Sequence, residues 1–192
     1  MKTTIDMLIS NNFLEHLEVA KRTSSLASVI RETGELLIQT IRSGSKVFIC
    51  GNGGSAADAQ HFAAELTGRF ERERRALPAV ALTTDTSALT AIGNDYGFDF
   101  IFSRQLEALA RPGDLLVAIS TSGNSRNVLK AVSYAKENQI STIGLLGRDG
   151  GQLAPEVNLS LVVPTDRTAR IQEMHILIVH IWCEMLDASI KS

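Results

Sequence analysis

Short apolar runs recur along this 192-residue chain, and most are followed by a stretch with helical spacing. The runs are Lys46–Cys50, Ala79–Leu82, Leu115–Ile119, Thr142–Leu146 and Leu159–Val163. Their brevity, with little polar alternation, suits strands covered on both faces. Helices are predicted from about Ala56 to Leu66, from Phe100 to Leu109, from the end of loop 120–125 through Lys136, and from about Thr168 to Ser189. Such alternation implies an α/β sandwich of three layers, with a mainly parallel five-stranded sheet between helices. The first 43 residues read as two further helices, an N-terminal helical arm ended by Ser43-Gly44-Ser45. Residues 1–192 are read as one domain, with 1–43 contributing to oligomer contacts. Ligands of such sheets bind at the carboxyl ends of the strands, where the two Gly/Ser/Thr-rich loops 51–55 and 120–125 lie.

The last helix differs from the others. Ile171, Met174, Leu177, Ile178, Ile181, Trp182 and Met185 spread around nearly its whole circumference. A helix apolar all round must be buried, and a second subunit is the expected cover. A net charge of −2 argues against broad nucleic-acid binding. The cluster Arg69, Arg72, Arg74 and Arg75, interleaved with Glu71 and Glu73, reads as a solvated or salt-bridged turn. Cys50 and Cys183 sit in apolar contexts and read as buried small hydrophobes. No run reaches the roughly 18 apolar residues of a membrane span, and the first residues are interrupted by acidic and polar side chains. A cytoplasmic protein without membrane contact is expected.

Loop 120–125 carries four hydroxyls, from Ser120, Thr121, Ser122 and Ser125, around Gly123. It joins a buried strand to a helix start, where backbone N–H groups and the helix dipole favour an anion. Hydroxyls add donors without bulk. One or two of them would fit an ordinary helix cap; four in six residues point to phosphate. Loop 51–55 continues into the pattern Gly51-x-Gly53-x-x-Ala56, which matches a dinucleotide fingerprint. The ribose-binding acid of that fingerprint should follow about 20 residues on, at the end of the next strand. That strand ends only at Asp85, which weakens a nicotinamide reading. A phosphorylated sugar bridging both loops fits better.

His61 and Glu65 stand four apart on the helix after the first loop and share a face. In the last helix, Gln172, Glu173, His175 and His180 are all candidates for the same site, and periodicity alone does not choose among them.

Five stretches together resemble the bacterial phosphoheptose isomerases of the sugar-isomerase (SIS) fold. They are Cys50-Gly51-Asn52-Gly53-Gly54-Ser55, His61-Phe62-Ala63-Ala64-Glu65-Leu66-Thr67-Gly68-Arg69, Gly93-Asn94-Asp95, Ser120-Thr121-Ser122-Gly123-Asn124-Ser125 and Arg170-Ile171-Gln172-Glu173-Met174-His175, with His180 beyond them. The resemblance covers essentially the whole chain. It implies interconversion of sedoheptulose 7-phosphate and D-glycero-D-manno-heptose 7-phosphate, the first step toward nucleotide-activated heptose for lipopolysaccharide core or other surface glycans. It implies one zinc per subunit on His61, Glu65, Gln172 and His180, and no nicotinamide. Phosphate contacts are implied for Ser55, Ser120, Thr121, Ser122 and Ser125. Asn52, Gly53, Gly54, Asn94, Asp95, Glu65 and Gln172 are implied to touch the sugar. The family's homotetramer, with sites at subunit interfaces, is implied as well.

An aldose–ketose isomerisation moves a proton between C1 and C2 through an enediol. Glu65 is assigned as the base and His180 as the partner acid/base, residue types suited to positioned proton transfer. The stretches Arg69-Phe70-Glu71, Leu77-Pro78-Ala79 and Ala169–His175 also resemble a non-catalytic relative of the same fold and tetramer that binds a replication initiator. It lacks equivalents of Glu65, Ser122 and His180. An adaptor of that kind, or a sugar-phosphate sensor, is the alternative to an enzyme.

Overall fold

In the computed structural model, which describes residues 3–190, five strands form one wholly parallel sheet: β1 (Val47–Cys50), β2 (Ala79–Ala81), β3 (Leu115–Ser120), β4 (Ser141–Gly147) and β5 (Leu159–Val163). Their order is β2-β1-β3-β4-β5. All four ladders are parallel, with Ile49 opposite both Ala81 and Val117. Alternate side chains serve opposite layers. Val47, Ile49, Leu115, Val117, Ile143 and Leu161 pack with α1 (Thr4–Thr23), α2 (Ala27–Arg42), α3 (Gly54–Thr67) and α7 (Thr168–Ser189). Phe48, Cys50, Leu116 and Ala118 pack with α4 (Thr86–Asp95), α5 (Ser103–Leu109) and α6 (Arg126–Glu137). The period-two swing of side chains across a strand is what lets runs this short build two cores.

The five predicted strands and the predicted helices are present with ends shifted by a few residues. Helix α4 was not predicted. Its sequence, rich in Thr and carrying Gly93, has poor helix propensity, and the helix forms because the Asp85 carboxylate accepts the Ala88 N–H at 2.9 Å as an N-cap. Asp85 therefore caps a helix.

Much of the apolar circumference of α7 is covered from within the chain. Ile171, Met174, Ile178, Val179, Trp182, Cys183 and Leu186 are wholly buried within the single chain. The sheet and helices α1, α2 and α3 enclose them, while Leu177 is exposed and Ile176, Ile181 and Met185 are half-buried. The Trp182 indole N–H bonds to Thr33 Oγ1 at 3.1 Å, tying α7 to α2. Further exposed apolar surface lies on α1, where Ile5, Leu8, Ile9, Phe13, Leu14 and Leu17 face outward. Both cysteines are buried and free, and burial pushes each thiol up to about 12. Among the described residues, no helix is long and apolar enough to cross a membrane.

His175 of α7 is wholly buried and its Nε2 lies 3.0 Å from the Leu146 carbonyl, so it donates there as a neutral ring. Burial pushes its imidazole down to about 4, against the opposing effect of that backbone bond. The unfolded chain then takes up a proton that the fold refuses, and stability falls as pH drops from the ordinary 6.5 toward 4. The full effect is about 3 kcal/mol. Urea denaturation of the parent and of His175→Gln between about pH 7 and about pH 4.5 checks this. The stability gap between them should narrow steadily as pH falls; a gap independent of pH would place the acid sensitivity elsewhere.

Candidate active site

The strand order reverses direction between β1 and β3. From β1 the chain runs into α3 on one face of the sheet, and from β3 into α6 on the other. Such a switch point opens a crevice at the carboxyl ends of the two strands. Loops 51–55 and 120–125 form its two lips.

Within loop 120–125 the hydroxyls are not consumed by capping. Ser125 is the N-cap of α6 and makes no side-chain capping bond. Its Oγ lies 3.0 Å from Ser120 Oγ, while Ser122 Oγ accepts the Asn124 N–H at 3.2 Å. An ordinary capping loop would turn Ser125 onto the helix N–H groups. Here the first turn keeps N–H groups for an incoming anion. Gly123 is required by sterics: its φ is +65°, and a Cβ there would come within 2.0 Å of the Gly150 carbonyl oxygen. That close approach packs the loop onto the turn after β4, with the Leu153 N–H donating to the Gly123 carbonyl at 2.9 Å. Ser55 lies buried at the start of α3. Thr121 is half-buried.

Helices α3 and α7 bring the remaining groups together. His61 Nε2 lies 3.2 Å from Glu65 Oε1, one turn along α3, and 3.2 Å from His180 Nε2 of α7. Phe70 stacks on the His180 ring with centroids 5.5 Å apart. Gln172 lies over the start of α3: a Cβ on Gly54 would sit 2.1 Å from its Nε2, so only glycine admits the amide there. The four α7 candidates are thereby sorted. Gln172 and His180 face the crevice side of α3. Glu173 instead pairs with His16 of α1 at 2.7 Å and with Arg170 at 2.5 Å. His175 is in the core. Asn94 and Asp95 bond to each other at the exposed end of α4, and among the described residues no bond joins them to this cluster.

The donor set suits a divalent cation of the zinc type. Bonds of about 2.0–2.1 Å in a tetrahedron place neighbouring donors roughly 3.3 Å apart. The His61–Glu65 and His61–His180 separations are of that length. Two imidazole Nε2 atoms also face one another, an arrangement that a shared cation satisfies without a proton between them. Among the described residues, no three His, Cys, Asp or Glu side chains converge on one point as they stand. The two edges meet at His61, and Gln172, which lies over Gly54, is the remaining donor that could contribute to a shell there.

Four neighbours of the cluster were missed or misread from the sequence. Arg74 is buried, and its Nε lies 2.7 Å from the Asp187 carboxylate, so it is no part of a solvated turn. Phe70 was noted only within Arg69-Phe70-Glu71, the stretch shared with the replication-initiator binder, and its stacking on His180 carried no local signal. Asp58, one turn before His61, has a buried Oδ2 without a hydrogen-bond partner; burial pushes its carboxyl up to about 6, while the charge of His61 acts the other way. Asn127 bonds to Asn52 across the crevice. A first-turn asparagine is common enough to pass unnoticed.

The model of the SIS domain family matches residues 12–147 of this chain. A phosphoheptose isomerase of Helicobacter hepaticus is 55% identical over 181 residues, covering 94% of this chain and 92% of its own. A phosphoheptose isomerase of Campylobacter jejuni is 56% identical over 180 residues, covering 94% and 97%. The solved structure of a phosphoheptose isomerase from Neisseria gonorrhoeae superposes with a TM-score of 0.92 at 50% identity, covering 96% of this chain and all of that one.

Proposed function

Because this chain belongs to the SIS-domain family and, within it, to the phosphoheptose isomerases, we propose that it interconverts D-sedoheptulose 7-phosphate and D-glycero-D-manno-heptose 7-phosphate. The observation that carries the reading is the meeting of Glu65 and His180 around His61, beside a crevice lipped by two loops built for an anion. The relatives favour this enzyme over a replication-initiator adaptor.

In this reading the phosphate sits on Ser55, Ser120, Thr121, Ser122, Ser125 and the first-turn N–H groups of α6. Asn52, Gly53 and Gly54 line the sugar's path, and Asn94 and Asp95 approach it from α4. Holding the phosphate fixes the far end of the chain and places C1 and C2 near Glu65. Glu65 takes the proton from one carbon and returns it to the other. His180 moves the hydroxyl proton and assists opening of the cyclic sugar, its ring steadied by Phe70. Zinc on His61, Glu65, Gln172 and His180 would polarise the sugar oxygens and stabilise negative charge as it develops. The reaction itself needs no nicotinamide.

The exposed apolar face of α1 supports a homotetramer in which residues 1–43 make subunit contacts. A cytoplasmic enzyme at the start of a route to activated heptose for surface glycans completes the proposal.

Purified protein given sedoheptulose 7-phosphate and zinc should yield the aldose phosphate, with unphosphorylated sedoheptulose a poor substrate. No aldose at high enzyme concentration would overturn the assignment.

A further inference from the structure

The side chains of Asn52 and Asn127 form a reciprocal pair across the switch-point crevice. Asn52 Nδ2 donates to Asn127 Oδ1 at 2.8 Å, and Asn127 Nδ2 donates to Asn52 Oδ1 at 2.8 Å. Asn127 is 2% exposed, in the first turn of α6. Its Oδ1 also accepts the Val128 N–H at 2.9 Å. That backbone group can only donate, so the atom facing it must be the amide oxygen. Reciprocity then fixes the orientation of Asn52 too. The helices that follow β1 and β3 lie on opposite sides of the sheet, and this pair of hydrogen bonds joins the loop after β1 to the helix after β3 across the crevice.

We propose that Asn127 is a positioning residue for the sugar phosphate: it holds the Asn52 carboxamide in one orientation and sets the spacing between the two lips. Each amide in the pair spends one N–H and one lone pair on its partner. Asn52, half-buried, keeps the second N–H and the second lone pair of its carboxamide for the crevice. Without Asn127, that carboxamide is free to rotate, and the lips lose their one side-chain tie among the bonds that join loop 51–55 to α6 in the described residues. A sugar phosphate gripped at both lips would then be bound in several poses, and displacement of the reacting carbons from Glu65 lowers the rate steeply. The inference rests on the isomerase reading for its substrate and on geometry alone for the clasp.

The test is a double-mutant cycle with Asn52→Ala, Asn127→Ala and the double variant, read as kcat/KM on sedoheptulose 7-phosphate in the zinc-loaded enzyme. Asn127→Ala is expected to lose roughly 10–100-fold, and the double variant to be little worse than Asn52→Ala. Additive losses, or an Asn127→Ala enzyme with parental kcat/KM, would overturn the proposal, since a residue that only stabilises the fold would not couple to Asn52. A second readout is the Asn52 side-chain amide resonance pair, identified by its absence in Asn52→Ala. Asn127→Ala should shift it, and an unmoved pair counts against the clasp. If Asn127→Ala fails to fold, Asn127→Asp keeps the size and the acceptor for Val128 while removing the donor, and the same cycle is run with it. Should the parent protein not turn over the sugar phosphate, the functional reading fails separately. The clasp is then judged with inorganic phosphate: a phosphate-dependent shift of the Asn52 amide that is lost in Asn127→Ala sustains it, and an unchanged response refutes it.

Discussion

Glu65→Gln is expected to abolish most turnover, by about 10²–10⁴-fold, even at saturating zinc. That loss equals about 3–5 kcal/mol of transition-state stabilisation. The variant keeps the size of the side chain and a carbonyl oxygen able to occupy the place of Oε1, 3.2 Å from His61 Nε2. What it lacks is a base. His61→Ala is the control, because it removes a proposed zinc donor with no proton-transfer role. It should bind zinc more weakly and regain part of its activity as zinc is raised. Turnover by Glu65→Gln close to that of the parent would remove Glu65 as the base and end the enediol mechanism centred on it. Circular dichroism of both variants checks that the fold is retained.

Asp187→Ala is expected to destabilise the protein by about 3–5 kcal/mol, because it leaves a buried guanidinium without its counter-charge. The Arg74 and Asp187 side chains are 2% and 3% exposed. Asp187 Oδ2 accepts the Glu71 and Arg72 N–H groups, and Arg74 donates to the Glu65 and Leu66 carbonyls in the last turn of α3. A cation at those carbonyls also complements the helix dipole. The pair thus fastens the 68–76 segment, which carries Phe70 onto His180, to both helices of the site. For a chain of this size the melting temperature should drop by roughly 10 °C, measured at fixed protein concentration. Activity of the remaining folded protein should fall too, since Phe70 loses its anchor. A melting shift under about 1 °C would show that the carboxylate is dispensable. Burial alone would raise the Asp187 carboxyl; the hydrogen bonds from Arg72, Arg74 and Glu71 and the charge of Arg74 together hold it below its ordinary 3.8. Its stabilising share is therefore present above that value and lost as pH falls further.

The strands and the two loops of the crevice were legible because they are local. A run such as Leu115–Ile119 has few alternatives to a buried strand, and four hydroxyls around Gly123 mark an anion loop wherever the chain takes them. His61 and Glu65 were legible as a pair because four residues along a helix set their separation directly. Helix α4 was missed because its stability comes from the Asp85 cap and from packing of Leu89 and Ile92, not from propensity.

By itself, then, the sequence determined the order of strands and helices, the loops at the sheet edge and the i,i+4 pair on α3. It also carried a resemblance that spans the chain. That resemblance pointed to Gln172 and His180, but only the tertiary structure gave the contacts that seat them beside that pair and take Glu173 and His175 elsewhere. Helical periodicity gives the angle of a residue about the axis, and on a helix apolar nearly all round that angle alone does not say which neighbour a side chain meets. By periodicity, Gln172, Glu173, His175 and His180 stayed equivalent until α7 was seated. Once it was, Gln172 met Gly54, Glu173 met His16, His175 met Leu146 and His180 met His61, 119 residues away in sequence. The same holds for Arg74 with Asp187 and Asn127 with Asn52: each joins segments far apart in the chain, and such pairs are set by how helices seat on the sheet, which no local pattern encodes.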